Sequence, residues 1–193
     1  MGSPSLVFVL AEDKRHKQFI YRLLVKAGFH THQIRIEMAP AGRGSAEQWV
    51  RENFARQVGK FRARNAKASS VMFVLRDADR KTVQERFDDL DEALCSAGLA
   101  KIDPEREAVA RLVPKRNIET WILCLSNHSG LLAVDEEQDY KNTQDDNGWS
   151  ALIPQSAESF LSWTQRTGDL PDAMLNSVKT GIREAHRTLQ GLD

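Results

Sequence analysis

Short apolar runs of strand length alternate along the chain with stretches of helical period. Leu6-Val7-Phe8-Val9-Leu10-Ala11 and residues 70–75 are almost continuously apolar, the pattern of strands buried on both faces of a parallel sheet. Between them, Phe19, Ile20, Leu23, Leu24 and Ala27 share one helical face, with Gly28 placed to stop the helix. His32 to Met38 alternates and predicts a second strand, with Ile34, Ile36 and Met38 on one side. Ser45 with Gln48 is a capping box that opens a helix carrying Val50, Phe54, Val58 and Phe61 inward. Thr82 with Glu85 opens another, with Val83, Phe87, Leu90 and Leu94 inward and Gly98 as its stop.

Ala108 to Val113 predicts a fourth strand, closed by Pro114. Asn117 can cap a short helix that turns Ile118, Trp121, Ile122 and Leu125 inward. Residues 133–150 are acidic and polar and predict an exposed loop, in which Trp149 is a candidate contact residue. Helices are predicted around Ser156–Thr164 and from Asp172 to Leu189. The order β-α-β-α-β-α-β-α calls for an α/β fold: a mostly parallel four-stranded sheet flanked by helices over residues 1–130. Residues 131–193 then form the acidic loop and a C-terminal helical extension packed on that core.

Composition narrows the class. No apolar stretch approaches the about 20 residues of a membrane helix, and the first residues lack a signal-peptide layout, so a cytoplasmic protein is expected. Cys95 and Cys124 lie in apolar helical patterns without metal-ligand spacing and are expected as reduced, buried thiols. His30, His32, His128 and His186 show no ligand spacing with one another. The net charge is zero, but residues 1–70 hold 13 Lys/Arg against 5 Asp/Glu, and the remainder is acidic. A basic half fits a polyanionic partner or simply solvated helix faces.

The candidate chemistry lies where two apolar strands end. The first runs into Glu12-Asp13 and the third into Arg76-Asp77-Ala78-Asp79. Ligands of open α/β sheets bind beyond the carboxyl ends of the strands, so these carboxylates are expected to share one crevice. An Asp-x-Asp pair leaving a strand in extended form places both carboxylates on one side. A divalent metal, Mg²⁺ or Mn²⁺, is the simplest neutraliser of such a set. Gly42-Arg43-Gly44 could present backbone N–H groups to a phosphate or be a plain turn. Lys14, Arg43, Lys115 and Arg116 flank the expected crevice and could hold a nucleic-acid backbone.

A strand ending in a lone glutamate followed by a later strand ending in Asp-x-Asp resembles the TOPRIM domain, over about residues 5–125. The resemblance implies that Glu12 acts in acid–base chemistry or metal binding and that Asp77 and Asp79 bind magnesium. Asp13 and His16 depart from the glycine and second acid that many family members carry after the glutamate. Arg116-Asn117-Ile118-Glu119-Thr120-Trp121 looks like an element of small stand-alone TOPRIM-like proteins of bacterial defence loci. Glu119 is then a further metal ligand, or alternatively a favourable charge in a first helical turn. The function implied is a Mg²⁺-dependent nuclease acting on DNA or RNA, with an ATPase protein as partner. Two other readings stay open: a non-catalytic interaction subunit, and a phosphoacceptor domain centred on Asp77.

Overall fold

Strands β1 (Leu6–Ala11), β2 (Ile34–Met38), β3 (Ser70–Leu75) and β4 (Val109–Leu112) form one sheet in the order β2-β1-β3-β4, with every neighbouring pair parallel. The computed structural model describes residues 6–40, 45–127, 131–166 and 168–190. Parallel neighbours need crossovers, which are supplied by α1 (Lys14–Lys26), α2 (Ala46–Asn65) and α3 (Val83–Ser96). Helices α4 (Ile118–Leu125), α5 (Asp146–Thr164) and α6 (Asn176–Gln190) follow. The chain leaves β1 toward β2 and returns on the other side to β3, so the strand order reverses between β1 and β3. That reversal opens a crevice at the carboxyl ends of just these two strands.

Every residue of β3 is buried. Alternation sends Val71, Phe73 and Leu75 into a core with α1, α4, α5 and α6, and Met72 and Val74 into a second core with α2 and α3. Trp149, Ile153, Phe160, Val178 and Ile182 belong to the first core, so the last two helices cover one face of the sheet. Trp121 is the keystone there: it stacks on Phe160 at 5.6 Å, and its indole N–H donates to Ser177 Oγ at 2.8 Å.

The free edge of β4 is closed by charged side chains of α6. The Arg111 backbone N–H donates to the Glu184 carboxylate at 2.9 Å, and Arg187 donates to the carbonyls of Pro104, Glu107 and Val109. Ion pairs thus occupy an edge that would otherwise template another strand.

Several expectations are corrected. Thr31–Gln33 is a 3-10 turn begun at His30, whose backbone N–H is taken by Gln33 Oε1, so the strand starts only where burial starts, at Ile34. Ser45 caps α2 through the Gln48 N–H, but the Gln48 side chain turns to Glu52, so the box is only half formed; the Thr82–Glu85 box is complete. On α3 it is Arg86 that is buried, while Phe87 is half-buried beneath the Arg111 guanidinium, 4.2 Å from its ring centre. Helix α5 begins at Asp146, inside the stretch expected as loop, because Asp145 caps it and Trp149 and Ile153 are buried. Trp149 is therefore a core residue and not a contact residue. Gly148 and Pro154 disguise this helix, since both disfavour helical backbone and Pro154 removes one of its hydrogen bonds. Cys124 is buried as expected, but Cys95 is exposed on α3. Among the described residues no helix is long and apolar enough to cross a membrane.

A Cβ placed on Gly181 would stand 2.3 Å from Trp121 Cη2. Gly181→Ala should destabilise the protein by about 1–3 kcal/mol despite better helix propensity, because the indole has no room to retreat. Gly59→Ala on α2, where nothing lies within 4 Å, should be neutral or slightly stabilising. Urea denaturation midpoints of the two variants check the contrast; equal midpoints would contradict it.

Candidate metal centre

Ala11 and Leu75 are register partners, so the residues that follow them leave the sheet side by side. The ladder continues one step further, with the Glu12 N–H donating to the Leu75 carbonyl at 3.0 Å. Glu12 Oε2 then accepts the backbone N–H of Asp77 at 2.9 Å, which fixes the Glu12 carboxylate across the end of β3. Burial and the nearby Asp77 charge push the Glu12 carboxyl up to about 7, against the opposing pull of His16.

Asp77 has no exposed surface. Its Oδ1 lies 3.0 Å from His16 Nε2, and its Oδ2 lies 3.2 Å from Lys141 Nζ. Asp13 caps α1, accepting the His16 backbone N–H at 2.9 Å while also contacting His16 Nδ1 at 2.8 Å. Burial alone would drive a proton off His16; the charges of Asp13 and Asp77 at its two nitrogens override it and hold the ring well above its usual value, as imidazolium. Burial likewise would raise the Asp13 carboxyl, and His16 holds it well below the usual range.

Lys141 comes from the segment between α4 and α5. Asp139 accepts the Lys141 N–H at 2.9 Å and the Asn117 side-chain amide at 2.9 Å, which ties the segment to the start of α4. Burial would lower the Lys141 ammonium, but Asp77 above all, with Asp79 and Glu119, raises it beyond its ordinary value.

Asp77 and Asp79 have different nearest partners, although both charges act on Glu12 and Lys141. Asp79 adopts the left-handed conformation, with φ of 54°, which a short polar side chain tolerates. The chain turns there, and Asp79 faces Arg86 at 3.6 Å. The extended Asp-x-Asp geometry expected from the sequence is thereby corrected. Glu119, fully buried in the first turn of α4, is paired with Arg15 of α1. Burial raises its carboxyl, with Arg15 opposing and Asp77 adding to the rise.

The donors suit a hard cation. Glu119 Oε2 is buried without a hydrogen-bond partner, so its lone pairs remain available, whereas each Asp77 oxygen is already faced by one cation, His16 or Lys141. Asp13, His16 and Asp77 offer ligand atoms within 4.8 Å of one another, a triplet that does not include Glu12, Asp79 or Glu119. Both His16 nitrogens already face carboxylates, so the ring serves that triplet as a counter-charge rather than as a ligand.

Of the basic residues expected to flank the crevice, Lys14 pairs with Asp146 at 3.5 Å, Lys115 with Glu137 at 2.9 Å and Arg116 with Asp139 at 3.6 Å. Arg43 lies outside the described residues, as does His128. His16, Arg15 and Lys141 were not legible as site residues. His16 had two signals, its place near the second acid of the resemblance and its position three residues after the N-cap Asp13; Lys141 had none, being one lysine in a polar stretch. Against family models, curated proteins and solved structures, the chain finds no match.

Because Glu12 binds its proton more tightly in the fold than in the unfolded chain, the folded state holds more protons between pH 4.5 and about 7. The associated stability is complete below 4.5 and is lost as pH rises through about 7. At roughly 1.4 kcal/mol per unit, the loss is on the order of 3 kcal/mol. In metal-free buffer, the stability difference between wild type and Glu12→Gln should therefore shift in favour of the variant as pH goes from 5 to 8. A pH-independent difference in chemical denaturation would show that Glu12 is not so perturbed.

Proposed function

We propose that this protein is a metal-dependent phosphodiesterase acting on nucleic acid, a nuclease with TOPRIM-like chemistry. The observation that carries the reading is the Glu12–Asp77 junction. Two strands that are neighbours at the switch point of a parallel sheet end in carboxylates, one of them fully buried and faced only by the cations His16 and Lys141. Asp77, Asp79, Glu119 and Glu12 would hold Mg²⁺ or Mn²⁺. When bound, the ion supplies charge neutralisation at the phosphate and a more acidic water.

The chain's own groups divide the remaining work. Glu12, with its carboxyl near 7, can accept a proton on the oxygen not engaged by the Asp77 N–H and return it at neutral pH. His16 and Asp13 hold Asp77 in place from the α1 side. Lys141, with a partly exposed side chain, can leave Asp77 when a cation or substrate arrives. Lys14, Lys115 and Arg116 lie where a polyanion could exchange for their present carboxylate partners. An ATPase protein working beside it in anti-phage defence is part of this proposal.

A second reading is favoured by one specific observation. His16, Lys141 and Arg15 already balance the carboxylates from within the chain. Such a self-neutralised site suits a non-catalytic interaction subunit that retains the fold.

Two measurements separate the readings. Millimolar Mg²⁺ or Mn²⁺ should raise the melting temperature, and Asp77→Asn combined with Asp79→Asn should abolish the rise, since binding only to the folded state stabilises it. Purified protein, alone or with its ATPase partner, should cut DNA or RNA only with a divalent ion, and Glu12→Gln should lose about 10²–10⁴-fold in rate while keeping its fold. An unchanged melting point and no cleavage of either nucleic acid would leave the interaction subunit as the reading.

A further inference from the structure

Arg76 follows β3 directly and has no exposed surface, yet two of its three guanidinium nitrogens, Nε and Nη1, have no hydrogen-bond partner. Its remaining nitrogen, Nη2, donates to Glu47 Oε1 at 3.1 Å. The same Glu47 oxygen is taken by Arg86 Nη1. Arg86 is also buried; its Nε donates to the Ala78 carbonyl at 3.2 Å, and its other contacts are to Asp89 and Asp79. Two guanidinium groups thus converge on one oxygen of one carboxylate; burial, and after it the neighbouring Arg86 charge, lower the Arg76 guanidinium below its ordinary value.

A buried arginine with unmet donors is costly unless an acceptor arrives to meet them. Arg76 and Arg86 together offer more donors than a single carboxylate oxygen can take. A phosphate group has several acceptor oxygens and matches the planar fork of a guanidinium in bidentate fashion. Of the three side chains Glu47 is the exposed one: it is 39% exposed, and it stands in the first turn of α2, where an anion is also favoured by the backbone N–H groups. Glu12 and Asp79 border the pair, so its position is beside the proposed metal centre, on the α2–α3 side of the sheet.

We propose that Arg76 and Arg86 form a phosphate clamp, and that the Glu47 carboxylate occupies the phosphate position until a phosphate group of the substrate displaces it. The clamp deepens the nuclease reading, since it rests on a phosphate-bearing substrate at the neighbouring carboxylates. It accepts either an internal phosphodiester or a terminal phosphate; the chemistry is the same, and the test distinguishes them.

The test is equilibrium binding, by fluorescence anisotropy in EDTA, of one labelled single-stranded oligonucleotide with a 5′-phosphate and one with a 5′-hydroxyl, with inorganic phosphate as competitor. Working without a divalent ion keeps the result separate from the metal centre, which is tested by melting temperature. Glu47→Gln should tighten binding several-fold, because it removes the competing charge while keeping the side-chain shape. Arg76→Lys should weaken it by about 10-fold with an unchanged salt slope, because charge is kept and the bidentate fork is lost. A preference for the 5′-phosphate assigns the clamp to strand ends; equal binding that phosphate still competes away assigns it to the backbone. Glu47→Gln is the deciding variant if Arg76→Lys does not fold. Unchanged or weaker binding by folded Glu47→Gln, or no competition by phosphate, would reduce Arg76–Glu47–Arg86 to a structural ion network and overturn the clamp.

Discussion

Asp77 is an acidic side chain with no exposed surface at the junction of β3 with the crevice, and its neighbourhood is organised around that one constraint. Burying a charge without compensation costs several kcal/mol, so the fold must bring cations to it. They come from two places distant in sequence: His16 of α1 and Lys141 of the segment before α5. Glu12 contributes differently, by accepting the Asp77 backbone N–H and so locking the ends of β1 and β3 together. Sheet, first helix and connecting segment are coupled through one carboxylate. A divalent ion entering the site would compete with contacts that already hold these elements in place.

The strand period then sorts the charges. Arg76 and Asp77 are consecutive and turn to opposite faces of the sheet, as the alternation of β3 requires. Asp77 meets His16 on the α1 side, and Arg76 meets Glu47 and Arg86 on the α2–α3 side. One strand end therefore supplies carboxylate chemistry to one wall of the crevice and guanidinium chemistry to the other. A phosphodiester needs both kinds of group: oxygen donors for a metal and cations for its non-bridging oxygens.

Much of the scaffold was legible because its signals are local. The strand cores around Val7–Leu10 and Val71–Val74, the helical faces of α1 and α2, and the Thr82–Glu85 box each follow from a short pattern, and the structure keeps them. Errors fell where a tertiary contact outweighs a local preference. Residues 146–155 of helix α5 carry no helix signal because Gly148 and Pro154 speak against one, and only the burial of Trp149 and Ile153 shows why it forms. Cys95 reads as apolar in sequence but lies on the outer face of α3, which is rotated to bury Arg86.

By itself the sequence determined the four strands, their parallel arrangement and the carboxylates at their ends, because hydrophobic period and strand length fix which segments can be buried. Tertiary structure alone decided how those carboxylates are neutralised. His16, Arg15, Lys141, Arg76 and Arg86 belong to separate segments, and nothing in the spacing of charges along a chain tells which solvated lysine or arginine will lose its water to face a buried acid. Even within the Asp77–Asp79 pair, two residues apart, the left-handed backbone at Asp79 gives the second carboxylate a different nearest partner, Arg86. Pairing of charges is a property of three-dimensional distance and local burial, and both exist only after the sheet has closed.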